Sequence, residues 1–485
     1  MVSKEVLLTA FITCIITAIC ISAIWIGIYY GVVKDDDDET PTSETVKATE
    51  CLDKCEFHLV ESIPENLTYP TGTKFMSTTD AWLKLIKLAT SNIDITSYYW
   101  SLKPEDSGGY YDETANNGLQ VFNSLIAAVK DRNLKLRITQ NNIKNDETAY
   151  LSEQGLASVR SLDFPKLTGS GILHTKAWTV DGKHLYVGSA NLDWRSLTQV
   201  KELGVAIYNC PCLAEDMQKM MDTYWAFGDP NVQLPFQPPL SAATAFNKEN
   251  PMSVSLNDDK SAVFFSSAPP QMLANGREGD IDAILHVIRT AEKFIHISVM
   301  DYIPAILYAK EKNRYWGVID EALREAAYRY VDVRLLISRW QNTKRILYPF
   351  LNSIADIEGG LPCLYTYNAT VNKTTCSRRG HVKVKLFEVP KYGNQSQIPY
   401  ARVNHNKYMV TEKAAYIGTS NWSGDYFVST GGFGIVIQAG YGTNSSNIVN
   451  QVNEDIFLRD WNSVYSKSIY EYDINGELFP QIPKS

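Results

Sequence analysis

The chain has 485 residues, of which 45% are hydrophobic and 21% are charged, and its formal net charge is -8. This composition excludes a wholly disordered chain, and the length predicts two or three domains or one large duplicated domain. The acidic balance excludes a strongly basic nucleic-acid coat, so a bound polyanion would have to be held by a few local cations.

The first predicted element is a membrane anchor. No charged residue occurs from Val6 to Val33. As a helix this segment would be roughly 42 Å long, enough to cross a bilayer with some tilt. A cleaved signal peptide is the weaker alternative, because its apolar part is only about 7–15 residues. The pattern therefore predicts residues 1–5 as a short cytoplasmic end, residues 6–33 as a transmembrane signal-anchor, and the remainder as a luminal or extracellular body.

Cysteines and sequons favour an oxidising lumen. Outside the anchor the cysteines form three close pairs in the sequence, Cys51/Cys55, Cys210/Cys212 and Cys363/Cys376. Disulfides are favoured over a zinc site, which the Cys51/Cys55 spacing narrowly permits. Cys210 and Cys212 flank one proline, so each is expected to pair elsewhere. The candidate glycosylation sites are Asn66, Asn368, Asn372, Asn394 and Asn444. Two of them lie between Cys363 and Cys376, which predicts an exposed, stapled loop.

Two similar halves are predicted after a luminal linker at residues 34–70, the first at 71–240 and the second at 241–485. The first half shows a helix at Asp80–Ala89, a strand at Asn92–Tyr99, a helix at Gly118–Lys130 and a strand at Leu134–Thr139. The second half repeats this order at Asp280–Ala291, Lys293–Asp301, Gly317–Tyr328 and Val331–Ser338. The alternation predicts an α/β fold in which each half is a mostly parallel sheet flanked by helices. Residues 229–270 contain seven prolines and are predicted to connect the halves.

One chemical motif occurs once in each half. His174-Thr-Lys176 is followed after four residues by Asp181, and His405-Asn-Lys407 is followed at the same distance by Glu412. Histidine and lysine two residues apart on a strand project to the same face. Together they suit a phosphate, because the ammonium binds its oxygens while the imidazole attacks or donates a proton.

The turns after the motifs strengthen the hypothesis. Gly-Ser-Ala-Asn ends at Asn191 and Gly-Thr-Ser-Asn ends at Asn421, and their side chains can donate hydrogen bonds to the same oxygens. A lone strand histidine is usually structural, but two matching copies argue against that interpretation. It is retained for the other five histidines, His58, His184, His286, His296 and His381.

The paired motifs resemble those of the phospholipase D superfamily over roughly residues 70 to 470. The anchor, the cysteine pairs and Asn421-Trp-Ser resemble its animal endolysosomal branch, members three and four of the mammalian set. The resemblance implies two halves packed about a pseudo-twofold axis with the active site between them. It also implies a phosphodiesterase without metal or cofactor that works through a covalent phosphohistidine. The branch is associated with 5′-to-3′ exonuclease action on single-stranded DNA and RNA.

The two histidines are assigned complementary roles on this basis. His174 is expected to attack phosphorus, while His405 protonates the leaving oxygen and then activates water. An imidazole with a pKa near 6.5 is charged in an acidic compartment, which favours the acid role of His405 but would handicap His174 as a nucleophile. The resemblance also makes Glu202, opposite Gly432 in the second half, the hydrogen-bond partner that fixes the tautomer of His174. The alternative is a solvated glutamate at a strand end.

The remaining candidates contact the phosphate or support the site. Those expected to bind substrate are Lys176, Lys407, Asn191, Asn421 and Ser189. Asp181 and Glu412 are counted with the catalytic residues, although Glu412 stands where the motif has aspartate. Asn421 also begins a sequon, but a glycan there would block the pocket, so no glycan is expected on it.

Further expectations concern disulfides, location and partners. By resemblance, the nested pairs are Cys51–Cys212 and Cys55–Cys210, with a local Cys363–Cys376 bridge. The protein is expected to pass through the endoplasmic reticulum and Golgi to the lysosome lumen, anchored or released by proteolysis, with a homodimer as an open alternative. A phospholipid hydrolase or phosphatidyl transferase is the competing function. Aromatics at the phosphate site would favour the nuclease, the candidates being Tyr98, Tyr99, Trp100 and Trp340.

Overall fold

The computed structural model describes residues 51, 53–232, 234–235, 237–309, 314–370, 372–440 and 446–479, which belong to one compact unit. The predicted anchor at 6–33, the beginning of the predicted linker and Asn444 lie outside the described residues. Within the described ranges, every helix is too short or too polar to cross a bilayer.

The first half is a mixed sheet with helices on its faces. Its main strands are Lys54–Ser62, Asn92–Ser97, Lys135–Asn141, Ser158–Leu162, Lys176–Val180, His184–Gly188 and Glu202–Tyr208, with short strands at Met76–Ser77, Trp100–Ser101 and Leu192–Asp193. Its α-helices are Thr78–Leu88, Asn116–Arg132, Asp146–Glu153, Phe164–Thr168, Trp194–Thr198 and Pro211–Phe227. Three neighbouring strands run parallel, and the motif strand Lys176–Val180 joins them antiparallel.

The second half repeats this plan. Its main strands are Met252–Leu256, Asp259–Ala268, Phe294–Val299, Asp332–Ser338, His381–Phe387, Lys407–Thr411, Ala414–Gly418 and Gly432–Ala439. Its helices are Asp280–Thr290, Val318–Tyr328, Leu347–Ala355, Asp425–Val428, Asn447–Gln451, Val452–Leu458 and Arg459–Trp461, of which Val452–Leu458 is a π-helix. Again a parallel set is followed by an antiparallel motif strand. The equivalent strands therefore place the two motifs in equivalent positions.

The predicted helices and strands are confirmed, and every predicted end lies within two residues of the observed end. The helices could be predicted because their apolar residues recur at helical spacing. The helix Asp280–Thr290, for example, buries Ala283, Ile284, Val287 and Ile288 on one face. The predicted α/β class is confirmed. Among the main strands, the parallel set of each half precedes its motif, and the strands that carry and follow the motifs pair antiparallel. The short strands Leu192–Asp193 and Trp422–Ser423, which follow the motif turns, pair parallel with Trp100–Ser101 and Tyr302–Ile303.

Two predicted connecting segments contain strands instead. Lys54–Ser62 lies inside the predicted linker, and Met252–Leu256 with Asp259–Ala268 lies inside the predicted connection. The linker strand buries Cys55, Phe57 and Leu59 at alternate positions, a period-two pattern hidden in a polar composition. It pairs antiparallel with Glu202–Tyr208 and parallel with two residues of Met252–Leu256, so it joins the sheets of the two halves.

The predicted disulfides are confirmed as Cys51–Cys212, Cys55–Cys210 and Cys363–Cys376. Among the described residues, the four cysteines of the nested pairs are the one cluster close enough to hold a metal ion. Bridged sulfurs offer no thiolate, so these contacts favour the disulfide interpretation over zinc. The Cys363–Cys376 bridge closes an exposed hairpin of the strands Cys363–Asn368 and Lys373–Arg379, in agreement with the stapled loop.

Candidate active site

The two motifs meet where their strands begin. The strands start at Lys176 and Lys407, and each histidine lies two residues earlier. Backbone bonds tie each histidine to the opposite half: His174 N donates to Gly431 O at 2.8 Å, and His405 N donates to Lys201 O at 2.8 Å. Both imidazoles line one cavity of about 490 Å³ between the halves. The two motif histidines therefore share one cavity, as the repeat predicted.

His174 has a neutral hydrogen-bond partner. Its Nδ1 lies 2.9 Å from the carbonyl oxygen of Thr419. Because a carbonyl can only accept, Nδ1 carries the proton and Nε2 keeps its lone pair in the neutral ring. Burial and the charges of Lys176 and Lys407 hold the pKa of His174 well below its usual value. The lowered pKa favours the neutral imidazole and so reduces the handicap expected for His174 in an acidic compartment.

Glu202 pairs with His405, so its predicted partner was wrong. Its two carboxylate oxygens lie 3.0 and 2.9 Å from His405 Nδ1. The strand that carries Glu202 begins beside Lys201, which pairs with Asn404 of the second half. We call this contact the crossing point of the halves, and it brings the Glu202 carboxylate close to the opposite motif. Glu202 is fully buried, so the alternative of a solvated strand-end residue is excluded. It is His174 that lacks a carboxylate partner among the described residues.

Burial determines how this pair holds protons. It raises the pKa of Glu202 to about 7, while burial and the nearby lysines lower the pKa of His405. Below about pH 7 the pair therefore holds one ionisable proton. When Glu202 carries that proton, its hydroxyl donates a hydrogen bond to Nδ1 of His405. The neutral imidazole of His405 then has its own proton on Nε2. Proton loss from Nε2 can be followed by transfer from Glu202 to Nδ1, which suits a general acid and base.

The lysines lie directly behind the histidines. Lys176 Nζ donates to His174 O at 2.7 Å, and Lys407 Nζ donates to His405 O at 2.8 Å. Both side chains are almost completely buried. Burial lowers the pKa of Lys407 to about 7, and burial together with Lys407 lowers that of Lys176. An arriving phosphate would neutralise this repulsion and favour both ammonium forms.

The asparagines are held in matching positions. Asn191 Nδ2 lies 3.5 Å from the Tyr99 hydroxyl, and Asn421 Nδ2 lies 3.1 Å from the Tyr426 hydroxyl. Their Oδ1 atoms are buried without a hydrogen-bond partner among the described residues. The Tyr426 hydroxyl can donate or accept, so the Asn421 amide can turn to offer both of its N–H groups to a phosphate. Asn421 is only 3% exposed, which agrees with an unmodified sequon.

Ser189, Asp181 and Glu412 lie outside the lining of the cavity. Ser189 Oγ bonds to the backbone N and O of Leu203 at 3.0 and 3.2 Å, so it supports the Glu202 strand and does not face substrate. Asp181 accepts from the backbone of Thr90, Ser91 and Asn92. It stands at the other end of its strand, about 16 Å from Lys176. Both placements correct the sequence-based assignment.

Glu412 repeats the contact of Asp181 in the second half. It accepts from the backbone N atoms of Glu292, Lys293 and Phe294 at 2.7, 3.1 and 3.2 Å. The longer glutamate makes equivalent bonds, which explains why the departure from aspartate is tolerated. The conserved spacing in the motif therefore reflects a strand tie, and the catalytic expectation for Glu412 is corrected as well.

Aromatic rings surround His174. The rings of Tyr98 and Tyr426 lie 5.3 and 5.1 Å from the ring of His174, centroid to centroid. Tyr99, Trp340 and Tyr400 also line the cavity. Trp100 does not, because it is buried in the core with its indole N–H on Ser97. Three of the four predicted aromatic candidates are therefore at the site.

Sequence reasoning missed the pair Asp193–Arg195. Arg195 binds the Asp193 carboxylate in a bidentate manner, at 2.8 Å from Nε and 2.7 Å from Nη2, and Asp193 accepts from the Tyr99 hydroxyl at 2.7 Å. The signal was present as Asn191-Leu-Asp-Trp-Arg195, directly after the motif turn. The missed Tyr400 lies at the mouth with a positive φ of 56°, a conformation that sequence does not announce for tyrosine.

The five histidines assigned structural roles all have partners away from the cavity. His296 is the most enclosed, stacked between Phe294 and Phe457 with Nδ1 2.7 Å from Asn453 Oδ1. The others contact Glu56, Asn209, Gln438 and Glu358. These contacts agree with the prediction made for them.

Comparison with known proteins supports the same family assignment in both halves. The family model described as "PLD3/4, PLD-like domain" matches residues 71–365, and the model "Cardiolipin synthase, PLD-like domain" matches residues 284–461. Together they span both motifs. The resemblance indicated by the paired motifs is confirmed.

Whole-chain relatives agree. A protein of Xenopus laevis named 5′-3′ exonuclease PLD3 is 45% identical over 433 residues, 88% of this chain and 84% of that protein. Probable phospholipase D F09G2.8 of Caenorhabditis elegans is 40% identical over 446 residues, 91% of this chain and 75% of that protein. The crystal structure of phosphatidylserine synthase from Haemophilus influenzae Rd KW20 has a TM-score of 0.50 at 12% identity, covering 80% of this chain and 85% of that chain. At this identity the structural likeness concerns the fold alone.

Proposed function

Because the chain belongs to the PLD3/4 family of phospholipase D-like proteins, we propose that it is a phosphodiesterase acting as a 5′-to-3′ exonuclease on single-stranded DNA and RNA. The observation that carries the proposal is that both motif histidines line one cavity together with aromatic rings, each histidine backed by its buried lysine. The name of the Xenopus laevis relative supports the direction of degradation.

The reaction proceeds in two displacements. His174 Nε2 attacks phosphorus to form a P–N bond, and the P–O bond to the leaving nucleoside breaks. The departing alkoxide takes the Nε2 proton of His405, which Glu202 replaces at Nδ1. In the second step His405 removes a proton from water, the water oxygen attacks phosphorus, and the P–N bond breaks to release His174. The charges of Lys176 and Lys407 stabilise the equatorial oxygens in both steps.

The cavity lining favours a nucleic acid over a phospholipid. Its walls near His174 are the rings of Tyr98 and Tyr426, and Trp340 and Tyr400 stand farther out. Stacking on such rings is worth about 1–3 kcal/mol per base and tolerates any sequence. The aliphatic residues of the lining are Val200, Met300 and Val403, too few to line an acyl-chain channel. A phospholipase reaction would use the same phosphohistidine with a different substrate.

Digestion of end-labelled oligonucleotides tests the proposal. Single-stranded DNA and RNA labelled at either end should be shortened from the 5′ end at about pH 5 in EDTA, and His174→Ala should be inactive. Because the phosphate charge is balanced by two lysines, chelation should leave the rate unchanged. Loss of activity in EDTA with recovery on adding a divalent cation would refute the mechanism. Release of choline from phosphatidylcholine vesicles, without shortening of either oligonucleotide, would favour the lipid enzyme.

We also propose a lysosomal luminal setting, with the residue 6–33 segment as anchor or removed by proteolysis. Three disulfides support an oxidising compartment. Asn66, Asn372 and Asn394 are exposed and available to glycosylation. The low pKa of His174 suits an acidic lumen. Glycosidase treatment of the protein expressed in cultured human cells should increase its gel mobility. Analytical ultracentrifugation should decide between a monomer and a homodimer.

A further inference from the structure

A second cavity adjoins the active site and carries an excess of positive charge. It has a volume of about 310 Å³ and shares Trp340 with the catalytic cavity. We call it the arginine cavity; its charged residues are Arg339, Arg345, Lys391, Arg402, Glu388 and Glu477. Four cations thus face two carboxylates, in a chain whose overall charge is -8. The local excess therefore does not follow from a generally basic surface.

One of its cations is buried without a hydrogen-bonded carboxylate. Arg402 is 1% exposed, and its guanidinium donates to the oxygens of Pro390, Gln199 and Glu65, the last through its backbone carbonyl. None of these acceptors is a carboxylate. Burial lowers the pKa of Arg402 only to about 10, so it remains charged. Because its hydrogen-bond acceptors are neutral, the Arg402 guanidinium adds positive charge at the cavity, offset in part by the carboxylates of Glu65 and Asp112.

Two further cations are exposed and available. Arg345 and Lys391 are both exposed and have no ion pair among the described residues. Arg339, in contrast, is engaged by Glu388 at 3.0 Å, and Glu388 also accepts from the Tyr472 hydroxyl at 2.8 Å. The Glu388 carboxylate is therefore already paired with Arg339. Arg345 and Lys391 are the groups that can close on an anionic ligand.

The connection between the cavities has the features of a strand path. Trp340 stands at the boundary, and its indole N–H has no partner among the described residues. Tyr400 is 66% exposed on the same rim, two residues before Arg402, and both have positive φ values of 56°. Such strained backbone at non-glycine residues is retained where it positions side chains for a task. An aromatic surface between two phosphate-attracting cavities is the arrangement that binds single strands.

We propose that the arginine cavity binds the backbone phosphates of the single-stranded nucleic acid downstream of the phosphodiester held between His174 and His405. Trp340 supports the base that lies between the two cavities. The inference rests on the proposed exonuclease function and adds to it the site that retains the strand while its terminal nucleotide is removed.

Direct binding tests the inference. His174→Ala would be titrated with a fluorescein-labelled single-stranded decamer, alone and combined with Arg345→Gln and Lys391→Gln. The added substitutions should weaken binding roughly tenfold, and the slope of log K against log salt should fall by about 1.4, the value for two phosphate contacts on a single strand. Lys130→Gln with Lys135→Gln removes the same charge from two exposed residues far from the cavity and should change neither value.

Ligand length and class distinguish the outcomes. A dinucleotide ends at the first nucleotide past the scissile phosphate, so its affinity should respond much less than that of the decamer. Unchanged decamer affinity and salt slope after Arg345→Gln and Lys391→Gln would overturn the inference. The inference would also be overturned if these substitutions abolished binding to phosphatidylserine vesicles and left binding of the decamer intact. Decamer binding that depends on Arg345 and Lys391 in a protein that shortens no oligonucleotide would support the site and refute the exonuclease.

Discussion

His174 and His405 differ in one hydrogen bond, and this difference underlies the roles proposed for them. The carbonyl of Thr419 can only accept, which leaves His174 Nε2 with a lone pair. The carboxyl group of Glu202 can give or take a proton at His405 Nδ1. One ring is thus held ready to attack, and the other is coupled to a proton reservoir. At Gly432, the counterpart of Glu202, an added Cβ would collide with the Ser420 hydroxyl oxygen, so a side chain there would require that hydroxyl to move.

Trapping the intermediate tests this division. His405→Ala should still be phosphorylated by a bis(p-nitrophenyl) phosphate substrate, because nitrophenolate leaves with little protonation. It should then retain the phosphoryl group on His174, since no base activates water. His174→Ala, the matched control, should form no adduct with any substrate. Mass spectrometry at neutral pH that located the phosphoryl group on His405 would reverse the roles.

Glu202 should control the pH dependence of the first step. Its pKa is raised to about 7, so the Glu202–His405 pair holds its proton below that value and loses it above. The kcat for an alkoxide leaving group should therefore fall as pH rises through about 7, whereas nitrophenolate release should fall less. Glu202→Gln should lower kcat for the alkoxide by about 10²–10⁴ and remove that limb of the profile. An unchanged profile in the variant would assign the limb to another group, such as Lys407.

The strand ends explain the acid in each motif. Asp181 and Glu412 each collect the backbone N–H groups that precede a neighbouring strand. They close the edge where the parallel set meets the motif strand. The acid is thus spaced from the lysine by the length of a strand, which places it far from the phosphate. A motif can therefore combine residues of unrelated purpose.

Removing this tie should reduce stability more than catalysis. Asp181→Ala leaves the N–H groups of Ser91 and Asn92 without their charged acceptor, and it should lower the free energy of unfolding by roughly 2 kcal/mol. The urea midpoint measures this loss, and kcat at a temperature where the fold is intact should stay close to that of the unmodified protein. Glu153→Ala, at an exposed helix position, should leave the midpoint unchanged. A large loss of kcat in folded Asp181→Ala would restore the catalytic assignment.

Elements with strong local periodicity were predictable, and contacts between halves were not. The helix Asp280–Thr290 and the strand Asp332–Ser338 were found within one residue because apolar spacing alone determines them. The strand Lys54–Ser62 was missed because it is completed only by Glu202–Tyr208 and Met252–Leu256, far away in sequence. The prediction of His174 as the partner of Glu202 was wrong for the same reason. The histidine that Glu202 contacts depends on how the two halves pack together.

At the scale of the whole molecule, one buried cluster of charged residues joins the first strand and the end of the fold to the active site. Lys201 Nζ lies 2.9 Å from Glu61 in the first strand and 2.9 Å from Asp460 near the end of the fold. Arg459 pairs with the same two carboxylates. The backbone of Lys201 also bonds to Val403 and His405. The cluster therefore holds the crossing point of the halves, one residue from Glu202.

Lys201→Met should show that this cluster maintains the crossing. The substitution keeps most of the side-chain volume but leaves two carboxylates to one guanidinium in a dry interior. It should lower the free energy of unfolding by about 3–5 kcal/mol at neutral pH. Lys144→Met, which breaks an exposed ion pair with Asp146 at 3.1 Å, should leave the unfolding transition almost where it was.

The pH dependence of that loss separates a charge effect from simple loss of packing. Although burial opposes it, Lys201 and Arg459 lower the pKa of Glu61 in the folded protein. Its stabilisation is therefore present above the unfolded value of about 4.3 and disappears only as pH falls through the lower folded value. Without Lys201 the stranded carboxylate can protonate at low pH, so the difference between variant and unmodified protein should shrink between pH 7 and pH 4. A difference that stayed constant with pH, measured by urea unfolding at each value, would mean that Lys201 acts through its packing alone.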